Sequence, residues 1–223
     1  MSNGLNTDLY PDVTEAGDLA RAIEKLALLN KIDLGEVTLP YSSYAPARIS
    51  AGRGRIGVDL RRDTRLYQIA IAGDSHNWAS GETDQLLEVV KVAEAWRRGA
   101  TLRELNAQFP FMTYTPMAQA YEDGTHVPFQ WDRLLNDPDL DRIRPLMRAA
   151  RAHPQLRELF PTVSHLTLLR LERDPADQSA GQIHIVLTRN GDYRVDYNGE
   201  DEQNFPTIDS AIQAAASIAG PVT

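Results

Sequence analysis

The feature that most constrains this chain is a change of hydrophobic period that occurs twice. In RGRIGVDL (Arg53 to Leu60) and RLYQIAIA (Arg65 to Ala72) apolar residues fall on alternate positions, the period of a half-buried strand. The polar Arg61-Arg62-Asp63-Thr64 between them predicts a hairpin, and Gly73 to Gly81 offers a third short strand. The period then becomes helical through Leu86, Leu87, Val90, Ala93 and Trp96, with Thr83 or Asp84 placed to cap the first turn and Gly99 to end it. The order recurs near the other end. HLTLLRL (His165 to Leu171), QIHIVL (Gln182 to Leu187) and DYRVDY (Asp192 to Tyr197) read as strands, and Thr207 caps the alanine-rich helix IDSAIQAAASIA, closed by Gly220 and Pro221. Asn190-Gly191 is the strongest hairpin signal, because both residues tolerate the positive φ of a tight primed turn. An α+β fold follows as the economical arrangement: antiparallel sheet with helices on one face, in two strand-strand-strand-helix units flanking a central region of short helices.

That central region is punctuated by proline. Phe109-Pro110 and Phe160-Pro161 bracket it and read as hinges. Thr101-Leu-Arg-Glu104 is a capping-box pattern, and Thr115-Pro116 places an N-cap before a proline at the first helical position, with Gly124 as the stop. Further helical signals lie at Trp131, Leu134 and Leu135, in PLMRAARA from Pro145, and in one or two turns from Pro154 to Phe160. Towards the N-terminus, the first dozen residues read as a loose end, Val13 to Asn30 as one amphipathic helix, and Val37 to Pro46 as a crossing loop or edge strand. The segments expected are 1–100, 101–163 and 164–223, within one compact domain.

Chemistry is mostly argued against. A chain without cysteine has no disulfide framework, thiolate nucleophile or cysteine-ligated metal. A net charge of −8 disfavours a surface built to neutralise a phosphate backbone, so no nucleic-acid partner is expected. The Met-Ser-Asn-Gly-Leu start lacks the basic and apolar regions of a signal peptide and no apolar run approaches the roughly 20 residues of a membrane helix, so a cytoplasmic protein away from membranes is expected. His76, His126, His153, His165 and His184 show no metal-ligand spacing, and no cofactor is implied. Asp74-Ser75-His76 holds triad residue types, but adjacent residues cannot place a base beside its own nucleophile. Gly52, Gly54 and Gly57 precede a strand where a phosphate loop would follow one, so they serve a turn. His184, opposite in parity to Ile183 and Ile185, reads as a solvated histidine.

Two candidate sites remain. Arg48, Arg53, Arg55, Arg61, Arg62 and Arg65 face only Asp59 and Asp63 inside an acidic chain. They form a strip that could hold an acidic peptide or partner protein, with strand augmentation along the same hairpin. In the central region Tyr114 and Trp131 are aromatic residues available to a partner, and His153 and His165 are the acid–base candidates of an alternative reading as a small enzyme.

The wording AWRRGATLRELNAQFPFMTYTPMAQAYEDG, then Trp131, PLMRAA, HPQLRELFPTVSHLTLLRL and GDYRV, resembles a family of actinobacterial proteins labelled natural product biosynthesis proteins. Its markers are Trp96, Phe109-Pro110, Trp131, Leu156-Arg157, Phe160-Pro161 and Ser164-His165, across roughly Ala95 to Val195. The resemblance implies a setting near biosynthetic genes, some for ribosomally made, modified peptides, and so an accessory role on a partner enzyme or peptide. It carries over no catalytic residues.

Overall fold

The computed structural model describes residues 7–39 and 47–220. The chain divides into two compact units, Met1–Glu122 and Asp123–Thr223. The break differs from the three segments expected, because the central helices are shared out between the units.

In the first unit, α1 (Pro11–Ala16) and α2 (Leu19–Leu29) precede β1 (Val37–Thr38), β2 (Ala47–Ala51), β3 (Gly54–Leu60), β4 (Tyr67–Ala72) and β5 (Asn77–Thr83). There follow α3 (Leu86–Arg97), α4 (Leu102–Gln108), β6 (Met112–Thr113) and α5 (Pro116–Glu122). The six strands form one antiparallel meander in chain order, β1 to β6. Alternation decides its inner face: Ile49, Ile56, Val58, Tyr67, Ile69, Ile71 and Ala79 are buried there, against Val89, Val90, Ala93 and Trp96 of α3 and Ile23 of α2. The two edge strands have two residues each, short enough to offer little pairing surface. The β3–β4 hairpin lies in the middle of the sheet, so the expected strand augmentation along it has no open edge to use.

The single helix expected over Val13 to Asn30 is two. Gly17 leaves α1 with φ 97°, and Asp18 starts α2 by accepting the Arg21 N–H at 2.8 Å. The expected loose end is tied down from Thr7 onward, residues 1–6 lying outside the described residues. Tyr10 is fully buried; its hydroxyl lies 2.8, 2.9 and 3.0 Å from the carbonyls of Arg61, Thr64 and Leu66 and accepts the Leu66 N–H. Val37 and Thr38 make the edge strand proposed for their segment; residues 40–46 lie outside the described residues. Helix α3 begins at Gln85 without a side-chain cap; Thr83 instead accepts the Gln85 N–H just upstream. The capping box at Thr101 and Glu104 forms as expected, and Thr115 accepts the Ala118 N–H at 3.1 Å to start α5.

In the second unit, α6 (His126–Leu135) and α7 (Arg144–Ala152) precede β7 (Phe160–Ser164), β8 (Leu168–Glu172), β9 (Gln182–Leu187), β10 (Tyr193–Tyr197), β11 (Glu200–Phe205) and α8 (Ile208–Ala219). The sheet is antiparallel in the order β11-β10-β9-β8-β7, and α8 covers one face of β9, β10 and β11. Leu169, Leu171, Ile183, Ile185 and Val195 meet Ala211, Ile212 and Ala215 of α8 and Leu146 and Met147 of α7 in its core. Each unit thus carries its helices on one face of an antiparallel sheet.

Three local expectations fail here for identifiable reasons. Phe160-Pro161 is no hinge: it opens β7 at the sheet edge, where a residue lacking N–H is tolerated, and Pro161 still accepts a hydrogen bond from the Gln130 amide. Residues 154–158, expected as helix, make turns. Asn190-Gly191 is part of a longer loop in which only Gly191 has positive φ, whereas the tight turn is made by Asn198-Gly199, at φ 55° and 81° between the paired Tyr197 and Glu200. The strand that this turn introduces, β11, reads EDEQNF and has no apolar alternation to announce it.

Candidate functional site

The outer face of the first sheet is built in rows, because antiparallel register sets residues of successive strands side by side. One row runs across all six strands: Thr38, Arg48, Gly57, Ala70, Ser80 and Thr113. Next to it on one side lie Asp59, Gln68 and Glu82, and on the other Ser50, Arg55 and Ala72. Where the middle row has no bulky side chains, a cavity of about 690 Å³ opens over Gly57, Ala70 and Ser80, with Phe111 and Thr113 as a wall and Asp59, Gln68 and Glu82 as a rim. From β3 to β6 the trough spans about 14 Å at an interstrand spacing of about 4.8 Å. Gly81 lets the wall approach: a Cβ there would stand 2.5 Å from the Phe111 carbonyl oxygen. Gly57, expected in a turn with Gly52 and Gly54, is a strand residue on the floor.

The arginine strip divides by task. Arg53 is structural: its guanidinium lies 3.9 Å from the centre of the Trp96 ring, pairs with Glu122 at 2.7 Å and donates to the Ala100 carbonyl. Glu122 also accepts the Leu102 N–H at the start of α4, so one ion pair joins the β2–β3 turn to α4 and α5. Arg65 grips Asp12 through two hydrogen bonds of 2.9 Å, and Tyr67 donates to the same carboxylate. Burial works against that charge, but the Arg65 and Tyr67 hydrogen bonds hold the Asp12 carboxyl below its usual range. Arg61 pairs with Glu82 at 2.9 Å on the rim. Arg48 and Arg55 are exposed on the outer face, the first directly across from Gly57 and the second two residues from it on the same strand, and Arg62 is exposed in the β3–β4 loop; among the described residues none of the three has an ion-pair partner.

The other candidates are scattered. Trp131 is 1% exposed in the core of the second unit and donates to the Arg157 carbonyl at 3.0 Å, so it has no surface to offer a partner. Tyr114 is half-buried against the core of the first unit. His153 ends α7, where its Nδ1 accepts the Gln155 N–H, while His165 is exposed in the β7–β8 turn at φ 52°. No hydrogen bond or ion pair joins these two histidines. His76 stacks on Tyr121 at 3.8 Å and meets Trp78 edge-on, an aromatic packing role and no triad. Among the described residues no group of three His, Asp or Glu side chains could hold a metal ion.

One constellation escaped the sequence. His184 lies on the outer face of the second sheet as its parity requires, but it is not solvated. Its side chain is 17% exposed and its Nδ1 lies 2.8 Å from Asp196, itself 4% exposed and accepting the Gly199 N–H. Register completes the row as Thr162, Arg170, His184 and Asp196. Beside it, burial pushes the Glu172 carboxyl above its ordinary range, against the pull of Arg170 and His184. Only the alternate positions of QIHIVL and DYRVDY hinted at the pair, and the register needed to join them is set by turns that the sequence left ambiguous.

The molecule is therefore an α+β protein of two sheet-and-helix units, one with an open outer trough and one with an outer face of paired charges. A family model described as a family of unknown function (DUF6193) matches residues 125–222, nearly the whole second unit, which is thus similar to that family. No curated protein and no solved structure matches the chain. No helix among the described residues is long and apolar enough to cross a membrane.

Proposed function

We propose that this chain is a non-catalytic, cytoplasmic accessory protein of natural-product biosynthesis, the ribosomal-peptide kind included. In this reading the trough on the first sheet holds a segment of a partner enzyme or of its peptide substrate. The observation that supports it best is the trough itself: a concavity of about 690 Å³ whose floor residue Gly57 lies across from Arg48 and two residues from Arg55, and the charges of these arginines have no ion-pair partner among the described residues. A volume of that order is typical of sites that enclose a small ligand or a few side chains. A larger concavity, about 1050 Å³, lies by α3 and α4, but Lys91 and Arg98 on its lining already pair with Glu88 and Glu94. The biosynthetic setting rests on the resemblance over Ala95 to Val195. The test is to mix the chain with the products of neighbouring genes and follow the mixtures by size-exclusion chromatography. Co-elution with one of them is expected; separate elution of every one removes the reading.

A further inference from the structure

Granting that the trough is the binding site, which is the reading this step rests on, the residues around it also define what it takes. We infer that its occupant is an acidic peptide segment carrying one large apolar side chain. That side chain rests on the floor of Gly57, Ala70 and Ser80 against Phe111, and its carboxylates reach Arg48 and Arg55.

The charges around the trough favour this occupant once those already paired are set aside. Glu82 accepts from Arg61 at 2.9 Å and from Gln68 at 2.7 Å, so the rim satisfies its own carboxylate. Asp59 accepts the N–H of Leu60 and has no cationic partner among the described residues. Arg48 stands directly across from Gly57, and Arg55 is two residues along β3 from it, roughly 7 Å by strand geometry. Two exposed guanidiniums thus stand against one carboxylate beside a concavity of a protein whose net charge is −8. Asp59 is two residues beyond Gly57 on the side away from Arg55, so the positive charge sits at one side of the trough and gives an occupant a direction. Arginine suits this work, since its planar fork takes a carboxylate through two parallel hydrogen bonds. The floor supplies the apolar half of the recognition. Its residues have little or no side chain, and Phe111 adds carbon surface to the lining, so a large side chain can be desolvated there without displacing any protein group.

A random-peptide phage library panned against the immobilised full-length chain tests this, with Ala70→Trp and the Arg48→Glu/Arg55→Glu double variant panned in parallel. Enriched sequences are expected to carry Asp or Glu within a few residues of an aromatic or large aliphatic side chain. Recovery should fall about tenfold on the double variant, as for loss of close charge pairs at an interface, and should also fall on Ala70→Trp. Enriched sequences that are basic or neutral, or that bind the double variant as well as the parent, overturn the inference while loss on Ala70→Trp keeps the trough as the site. Sequences that bind all three proteins equally overturn the trough itself, and a library that enriches nothing overturns both. Both variants are exposed substitutions, and matching circular-dichroism melts establish that the fold is intact.

Discussion

The two sheets present the same inner face and opposite outer ones. On both, alternate apolar residues pack beneath helices. On the first, the outer positions of three adjacent strands are Gly57, Ala70 and Ser80, and the nearby Arg48 and Arg55 are left without ion-pair partners among the described residues. On the second, the corresponding positions are Arg170, His184 and Asp196, long or charged side chains that pair with one another or with Glu172. A sheet covered on one face can satisfy its other face itself or leave it for something else. Side-chain size and pairing on alternate positions decide which.

Substitutions should separate the two kinds of surface, and the largest effect tests the arginines within one strip. Arg53→Ala removes the cation from Trp96 and leaves Glu122 and the Ala100 carbonyl without it, a loss of about 1–3 kcal/mol. Arg55→Ala should stay within about 0.5 kcal/mol, as exposed positions do. Equal urea midpoints for the two variants would erase the distinction between structural and available arginines. Next in size, Asp196→Ala deprives the buried His184 Nδ1 and the Gly199 N–H of their acceptor and should cost about 1–3 kcal/mol by chemical denaturation. Stability unchanged by that substitution would mean the second outer face is not held by its own pairs.

The smallest effect has a sign that depends on pH. Because burial raises the Glu172 pKa in the folded chain, folding binds this proton more tightly than the unfolded state does, and the ionised carboxylate costs stability above the folded pKa. Glu172→Gln should therefore raise the melting temperature at pH 7, and the gain should fade as pH drops through the folded pKa towards that of the unfolded chain. A variant that melts lower than the parent at pH 7 would show that the Glu172 pairing with Arg170 outweighs its burial.

Much of this fold was legible because its signals are local. The capping box at Thr101, the proline start after Thr115, the Thr207 cap of α8 and the alternation of β3 and β4 each lie within a few residues. The errors cluster where the deciding contact is distant. Tyr10 anchors the first helices by bonding to a loop more than fifty residues away, so no N-terminal pattern announced it. Phe160-Pro161 looked like punctuation because proline's place in a strand depends on which strand is the edge. The site was only partly visible. Arg48 and Arg55 were named, but so were Arg53 and Arg65, whose partners Glu122 and Asp12 lie 69 and 53 residues away in sequence. The trough floor was missed altogether. Small residues on the outward positions of three successive strands were its one available signal, and they become a row only once the register is known.

If the first outer face binds and the second does not, substitutions on the two faces should have different effects on the affinity for a partner. Isothermal titration of the partner that co-elutes with the chain is compared for the parent, for Ala70→Trp on the trough floor, and for Asn204→Trp, exposed opposite Arg194 on the other sheet. Affinity should weaken about tenfold or more with Ala70→Trp, about 1.4 kcal/mol, and stay unchanged with Asn204→Trp. Affinity lost with Asn204→Trp and kept with Ala70→Trp would contradict that division.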